Sequence, residues 1–103
     1  MTLDDFRDLL LTVDQDATRY EHTGVGNYTT WREYGTKPLG ANNRRGEVIY
    51  RVQVDRFTKL ENDPTAAAIT TLLDGQDTVA FQYLVDYEVN TGYIHHIWDC
   101  EVA

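Results

Sequence analysis

Three stretches of the chain alternate apolar and polar residues with a period of two: 47–59, 81–89 and 94–102. A strand sends successive side chains to opposite faces, so each stretch predicts a strand with one buried and one solvated face. Asn90-Thr91-Gly92 joins the last two stretches, and its glycine suits the left-handed position of a hairpin loop. A sheet containing these strands is therefore the first requirement on the fold.

The N-terminal segment predicts a helix that ends near Asp14. Thr2 and Asp5 resemble a capping box, with aspartate in place of glutamate. Behind this cap the apolar residues recur at spacings of three and four, which gives one apolar stripe along the helix: Leu3, Phe6, Leu10 and Val13.

A second helix is predicted between the stretches 47–59 and 81–89. Asn62 or Asp63 caps it, Pro64 occupies a position where the missing N–H costs nothing, and Gly75 ends it. Its apolar stripe is thin and contains Ala66, Ile69 and Leu73. A thin stripe of this kind allows a helix to approach a sheet closely.

The remaining segments complete the predicted architecture. Residues 17–23 and 28–36 are rich in threonine and aromatic residues and predict two more strands, separated by a turn at 24–27. The order of elements is then α-β-β-β-α-β-β. It predicts a single α+β domain over residues 1–103, with two helices packed on one face of an antiparallel sheet.

The net charge of −8 is unevenly distributed along the chain. Residues 1–31 hold six acidic and two basic residues, 32–59 hold three acidic and seven basic, and 60–103 hold eight acidic residues and no Lys or Arg. An acidic total favours solubility and disfavours general nucleic-acid binding, which needs clustered Lys and Arg. The uneven pattern is equally typical of pairing within the fold and of complementary surfaces between molecules.

No membrane segment is expected. The longest apolar run, Leu9-Leu10-Leu11, is far shorter than the ~20 residues of a membrane-spanning helix.

Residues 95–100 include types that bind metals or form thiol–imidazole pairs. On a strand, His95 and Asp99 share one face but lie ~13 Å apart at ~3.3 Å per residue, and His96 and Cys100 are separated in the same way. Because zinc ligands must converge within a few ångströms, we expect no metal site, with His95 at the surface and Cys100 buried. The acidic neighbours of Cys100 should raise its thiol pKa. We expect no cofactor and no enzymatic activity.

The segment 37–46 is predicted to be an exposed, mobile loop that contacts a partner. Proline, glycine and asparagine supply turns but no apolar anchor, and long loops in compact domains are often functional. Paired arginines can form bidentate contacts with carboxylates of another protein. The candidate partner-contact residues are Lys37, Asn42, Asn43, Arg44 and Arg45.

Two segments carry a family resemblance. The stretch 47–59 ends in Phe57-Thr58-Lys59 and leads into Asp63-Pro64-Thr65, and the chain closes with a strand containing Trp98-Asp99-Cys100-Glu101-Val102. The chain resembles the small tail-completion and tail-terminator proteins of long-tailed phages and of prophages in Gram-positive bacteria. The resemblance is one of amino-acid sequence over 47–65 and 93–102, and of the order of elements over the whole chain.

This resemblance implies a virion structural protein that is made in the bacterial cytoplasm. The subunit would form a homo-oligomeric ring, commonly of six copies, between the tail tube and the head connector. DNA would pass through the lumen without specific binding. A ring requires a heterologous interface between unlike patches, which a basic middle and acidic ends could supply.

A second function remains open. The acidic segment 60–103 is also typical of a small regulator or inhibitor that mimics nucleic-acid charge and occupies the site of a basic protein. Such a mimic should be a monomer or dimer and should bind tightly at low salt.

Overall fold

The structure, a computed structural model, describes residues 1–38 and 48–103. Its elements in chain order are α1 (Leu3–Leu11), β1 (Thr18–Arg19), β2 (Tyr28–Pro38), β3 (Val48–Thr58), α2 (Pro64–Asp74), β4 (Val79–Glu88) and β5 (Tyr93–Val102). The predicted α+β class and the order α-β-β-β-α-β-β are confirmed. Within the described ranges, no helix is long and apolar enough to cross a membrane.

The predicted capping box begins α1. Thr2 Oγ1 accepts from the Asp5 N–H, and the Asp5 carboxylate accepts from the Thr2 N–H, both at 3.0 Å. The helix ends at Leu11, before the predicted Asp14. At this end the Leu9 carbonyl accepts hydrogen bonds from both the N–H and the hydroxyl of Thr12, at 3.1 and 2.6 Å.

The second helix begins and ends as predicted. Asp63 is the N-cap and accepts from the Ala66 N–H at 3.3 Å, while Pro64 lies in the first turn. Gly75 is the C-cap. Of the two candidate caps, the chain therefore uses Asp63.

The five strands form one sheet in the order β1-β2-β3-β5-β4. The four long strands pair antiparallel, as predicted. The prediction for 17–23 is wrong in length and direction, because β1 has two residues and pairs parallel to β2. Tyr20 has a φ of +74°, which ends the extended backbone directly after Arg19. The hairpin glycine prediction is confirmed, since Gly92 has a φ of +75°.

Both helices lie on one face of the sheet. The core joins Phe6 and Leu10 of α1 and Ile69 and Leu73 of α2 to alternate residues of the three inner strands: Trp31, Val52, Val54, Trp98, Cys100 and Val102. The predicted faces of β3 and β5 are thus confirmed. The opposite face of the described sheet is covered by neither helix.

Candidate functional site: an open sheet face between two unlike edges

The predicted contact residue Lys37 lies in a strand. β2 stays paired with β3 as far as Pro38, with one bulge at Tyr34, so the prediction that a loop begins at Lys37 is wrong. Lys37 Nζ lies 2.9 Å from Glu101 Oε1 of β5, diagonally across β3. The other predicted contact residues lie outside the described residues: Asn42, Asn43, Arg44 and Arg45.

Tyr34 is the centre of a polar cluster on the open face. Its hydroxyl donates to Asp99, and this hydrogen bond raises the pKa of Tyr34. The guanidinium carbons of Arg51 and Arg32 lie 5.1 and 5.8 Å from the centre of its ring. Tyr34, Arg51 and Asp99 border a shallow depression of about 300 Å³. Two arginines over an exposed aromatic ring suit contact with a protein surface better than a small-molecule cavity.

At the other end of the open face, four rings stack in a column. Successive centroid distances are 4.1 Å from His22 to Tyr28, 4.8 Å from Tyr28 to Phe57, and 4.0 Å from Phe57 to His95. Residues from three strands and from the segment before β2 therefore meet in space. Stacked aromatic pairs of this kind stabilise the sheet by about 0.5–1.5 kcal/mol each beyond their burial.

The prediction of an ordinary surface His95 is wrong. Its side chain is 19% exposed, and Nε2 lies 2.7 Å from Asp55 Oδ1. Asp55 also accepts from the Gln53 amide at 2.9 Å. His95 lies on the predicted solvated face, but the neighbouring strand supplies both an aromatic ring and a carboxylate that cover it.

The metal-ligand types do not converge in the described residues. No group of three His, Cys, Asp or Glu side chains in 1–38 and 48–103 could hold a metal ion. Cys100 is fully buried, as predicted, and burial, with a smaller effect of the Asp99 charge, raises its thiol pKa to about 12. Such a thiol is a poor nucleophile at neutral pH.

A buried ion network ties the basic middle of the chain to its acidic parts. Arg56 Nε donates to Asp63 Oδ2 at 2.8 Å, and a second guanidinium nitrogen lies 3.6 Å from Asp14. The side chains of Arg56 and Asp63 are 9% and 1% exposed. This contact favours a structural role for at least part of the charge pattern, because such a pair fixes the start of α2 against β3.

Strand β4 forms one edge of the sheet and exposes apolar side chains on both faces. The alternation over 81–89 predicts a buried face that contains Tyr83 and Val85, but these residues are 42% and 54% exposed. Tyr83 does lie opposite Trp98, on the helix side of the sheet. The helices cover only the start of the strand, where Val79 and Phe81 pack against the core. The exposed apolar residues on or next to this edge are Tyr83, Leu84, Val85, Tyr87 and Val89.

His96 adjoins this edge. It is 8% exposed, and burial lowers its pKa. Nδ1 lies 2.5 Å from the Tyr83 hydroxyl, and Nε2 has no hydrogen-bond partner within the described part of the chain. The sequence pattern placed His96 on the buried face but could not identify Tyr83 as its partner.

The two halves of the sheet differ in charge. Along β2 and β3 the described charged residues are four basic, Arg32, Lys37, Arg51 and Arg56, and two acidic, Glu33 and Asp55. The opposite half, β5 and β4, has no Lys or Arg and holds Asp86, Glu88, Asp99 and Glu101. The sheet order therefore converts a charge difference along the sequence into a charge difference across the molecule.

Comparison with known proteins identifies no relative: neither a protein-family model nor a curated protein matches the chain.

Proposed function

We propose that the chain is a tail-completion or tail-terminator subunit of a phage or prophage, with a structural and not a catalytic role. Copies of it assemble head to tail into a ring between the tail tube and the head connector. The protein is made in the cytoplasm of the bacterial host and becomes part of the virion.

One observation carries this proposal: one half of the sheet, β2 and β3, has a basic balance, and the other half, β5 and β4, holds acidic residues and no Lys or Arg. A ring forms when one patch of each subunit meets a different patch of the next, and unlike charges at opposite edges favour that arrangement. A net charge of −8 is also compatible with a lumen through which DNA passes without being held.

The experiment is deletion of the gene from the phage or prophage that encodes this chain. After induction, electron microscopy should show DNA-filled heads and separate tails, and a plasmid copy of the gene should restore joined particles. Joined, infectious particles in the deletion strain would contradict the proposal.

The acidic edge also supports the second candidate, a regulator that mimics nucleic acid. Asp74, Asp77 and Asp86 are exposed and have no ion pair with a described residue. Against it, Asp63 and Glu101 are already paired with basic residues, so this half has less unpaired negative charge than its sequence indicates. A mimic should displace DNA from a basic DNA-binding protein of the host in a salt-sensitive way. Absence of displacement at low salt would reject it.

A further inference from the structure

We infer that strand β4 of one copy pairs antiparallel with the free part of strand β2 of a second copy, so that the sheet continues from subunit to subunit. The inference rests on the proposed ring and names its contact. The pairing matches Asp86 of one copy with Arg32 of the next, and Val85 with Glu33, in the part of β2 that precedes the bulge at Tyr34.

The edge formed by β4 lacks most of the features that usually prevent strand addition, and its charged residues are Asp86 and Glu88. It pairs with β5 in unbroken register over ten residues and contains no proline, lysine or arginine. Five apolar residues on or next to it are between 42% and 82% exposed. Long, flat, apolar edges recruit other strands unless something covers them.

The main-chain N–H and C=O groups of two exposed β4 residues, Tyr83 and Val85, point away from β5 and toward the free edge. The Tyr20 N–H donates to the Trp31 carbonyl at 2.8 Å, so the peptide groups of Trp31 point away from β3. In an antiparallel ladder, residue pairs that exchange main-chain hydrogen bonds alternate with pairs that do not. Across the four strands Trp31 is paired with Val54, Val54 with Trp98, and Trp98 with Tyr83. Carried across the sheet, this alternation directs the N–H and C=O of Tyr83, and those of Val85 two residues on, away from β5.

The free part of β2 is a suitable partner. β1 pairs with Thr30 and Trp31 and leaves 32–38 uncovered at the outer edge. Arg32 is exposed and makes no ion pair with a described residue, and Tyr34 is 39% exposed. The bulge at Tyr34 and the missing N–H of Pro38 oppose strand addition farther along β2, so the contact is confined to the residues that precede the bulge.

Strand direction and side-chain direction both agree with this contact. Three antiparallel pairings separate β4 from β2, so the two edge strands run in opposite directions and neighbouring copies meet antiparallel. Asp86 and Arg32 both lie on the open face, and their main-chain groups point inward. Their cross-copy pair is therefore of the non-bonded type, in which side chains lie closest.

The charges favour pairing of β4 with β2 of a second copy over a symmetric pairing of two β4 strands. A two-fold contact would bring together two β4 strands, each with Asp86 and Glu88 and with no Lys or Arg. It would also leave β2 open. Head-to-tail pairing places acidic against basic, and a closed ring leaves neither edge open.

Reciprocal charge variants test the contact. Purified wild type, Asp86→Arg, Arg32→Asp and an equimolar mixture of the two variants are compared by analytical ultracentrifugation over a concentration series at low salt. Asp74→Arg, at the exposed end of α2, is the control with the same change in net charge as Asp86→Arg. Thermal melting of each dilute variant checks folding, which we expect to be unchanged because both substituted side chains are exposed.

We expect the wild type to assemble and each edge variant to associate at least ~10-fold more weakly. The mixture should recover, because the β4 edge of the Asp86→Arg variant then meets the β2 edge of the Arg32→Asp variant with the two charges exchanged. Asp74→Arg should behave as wild type. Monomeric wild type at every concentration overturns the inference, as does loss in Asp86→Arg without recovery in the mixture. Either result together with separated heads and tails in the gene deletion rejects this contact while leaving the proposed function in place.

Discussion

Replacing Trp98 with alanine should remove a large part of the stability of the fold. Trp98 is fully buried at the centre of β5, and its indole Nε1–H donates to the Thr70 hydroxyl of α2 at 2.9 Å. Truncating a buried tryptophan costs about 3–5 kcal/mol, from lost burial and from the cavity that remains. The lost hydrogen bond, worth about 1 kcal/mol, favours the upper part of that range.

The measurement is urea unfolding of the dilute protein, followed by circular dichroism. Because domains of this size have about 5–15 kcal/mol of stability, a loss of about 3–5 kcal/mol means that Trp98→Ala should lose roughly a fifth of it or more. The melting temperature should fall by about 12 °C or more, at roughly 4 °C or more per kcal/mol.

Tyr87→Ala is the matched control. It removes an aromatic residue from the neighbouring strand, but that side chain is 59% exposed, so the loss should be about 1 kcal/mol or less. Similar losses for Trp98→Ala and Tyr87→Ala would refute both the placement of Trp98 in the core and the exposure of the β4 edge.

Three other measurements address particular groups. Asp63→Ala should cost about 3–5 kcal/mol in urea unfolding, because Arg56 stays buried without its main carboxylate; Asp63→Asn, which can still cap α2, should cost less. Burial lowers the pKa of His96 in the folded state. As the pH falls below ~6.5, His96 is therefore protonated in the unfolded chain before it is protonated in the folded protein. The free energy of unfolding should then decrease from pH 7 to pH 5. His96→Phe should reduce that decrease, and an unchanged pH profile would contradict it. Cys100, with a thiol pKa of about 12, should react with a thiol reagent at pH 8 only after unfolding; rapid labelling of the folded protein would refute its burial.

The sequence predicted those features that depend on local chemistry. Capping by Thr2 and Asp63 follows from side chains that accept hydrogen bonds from nearby N–H groups, and the two faces of β3 and β5 follow from strict alternation. Gly92 was predictable because few other residues adopt its positive φ. The short length of β1 could not be predicted, because the residues that follow Arg19 have ordinary strand propensities. The change of backbone conformation at Tyr20 depends on tertiary context.

The exposed apolar edge could not be predicted, because alternation shows which side of a strand a residue occupies and not what covers that side. Tyr83 and Val85 alternate as core residues do, yet they are exposed. A signal was present in the lengths: the eleven residues of α2 span ~16 Å, whereas the ten residues of β4 span ~33 Å. A helix of that length leaves much of such a strand uncovered. His95 shows the converse, because its solvated face is closed by Phe57 and Asp55 from a strand about 40 residues away in sequence. Burial at a sheet edge therefore depends on element lengths and strand order, and these place the apolar surface of this chain where a second copy can cover it.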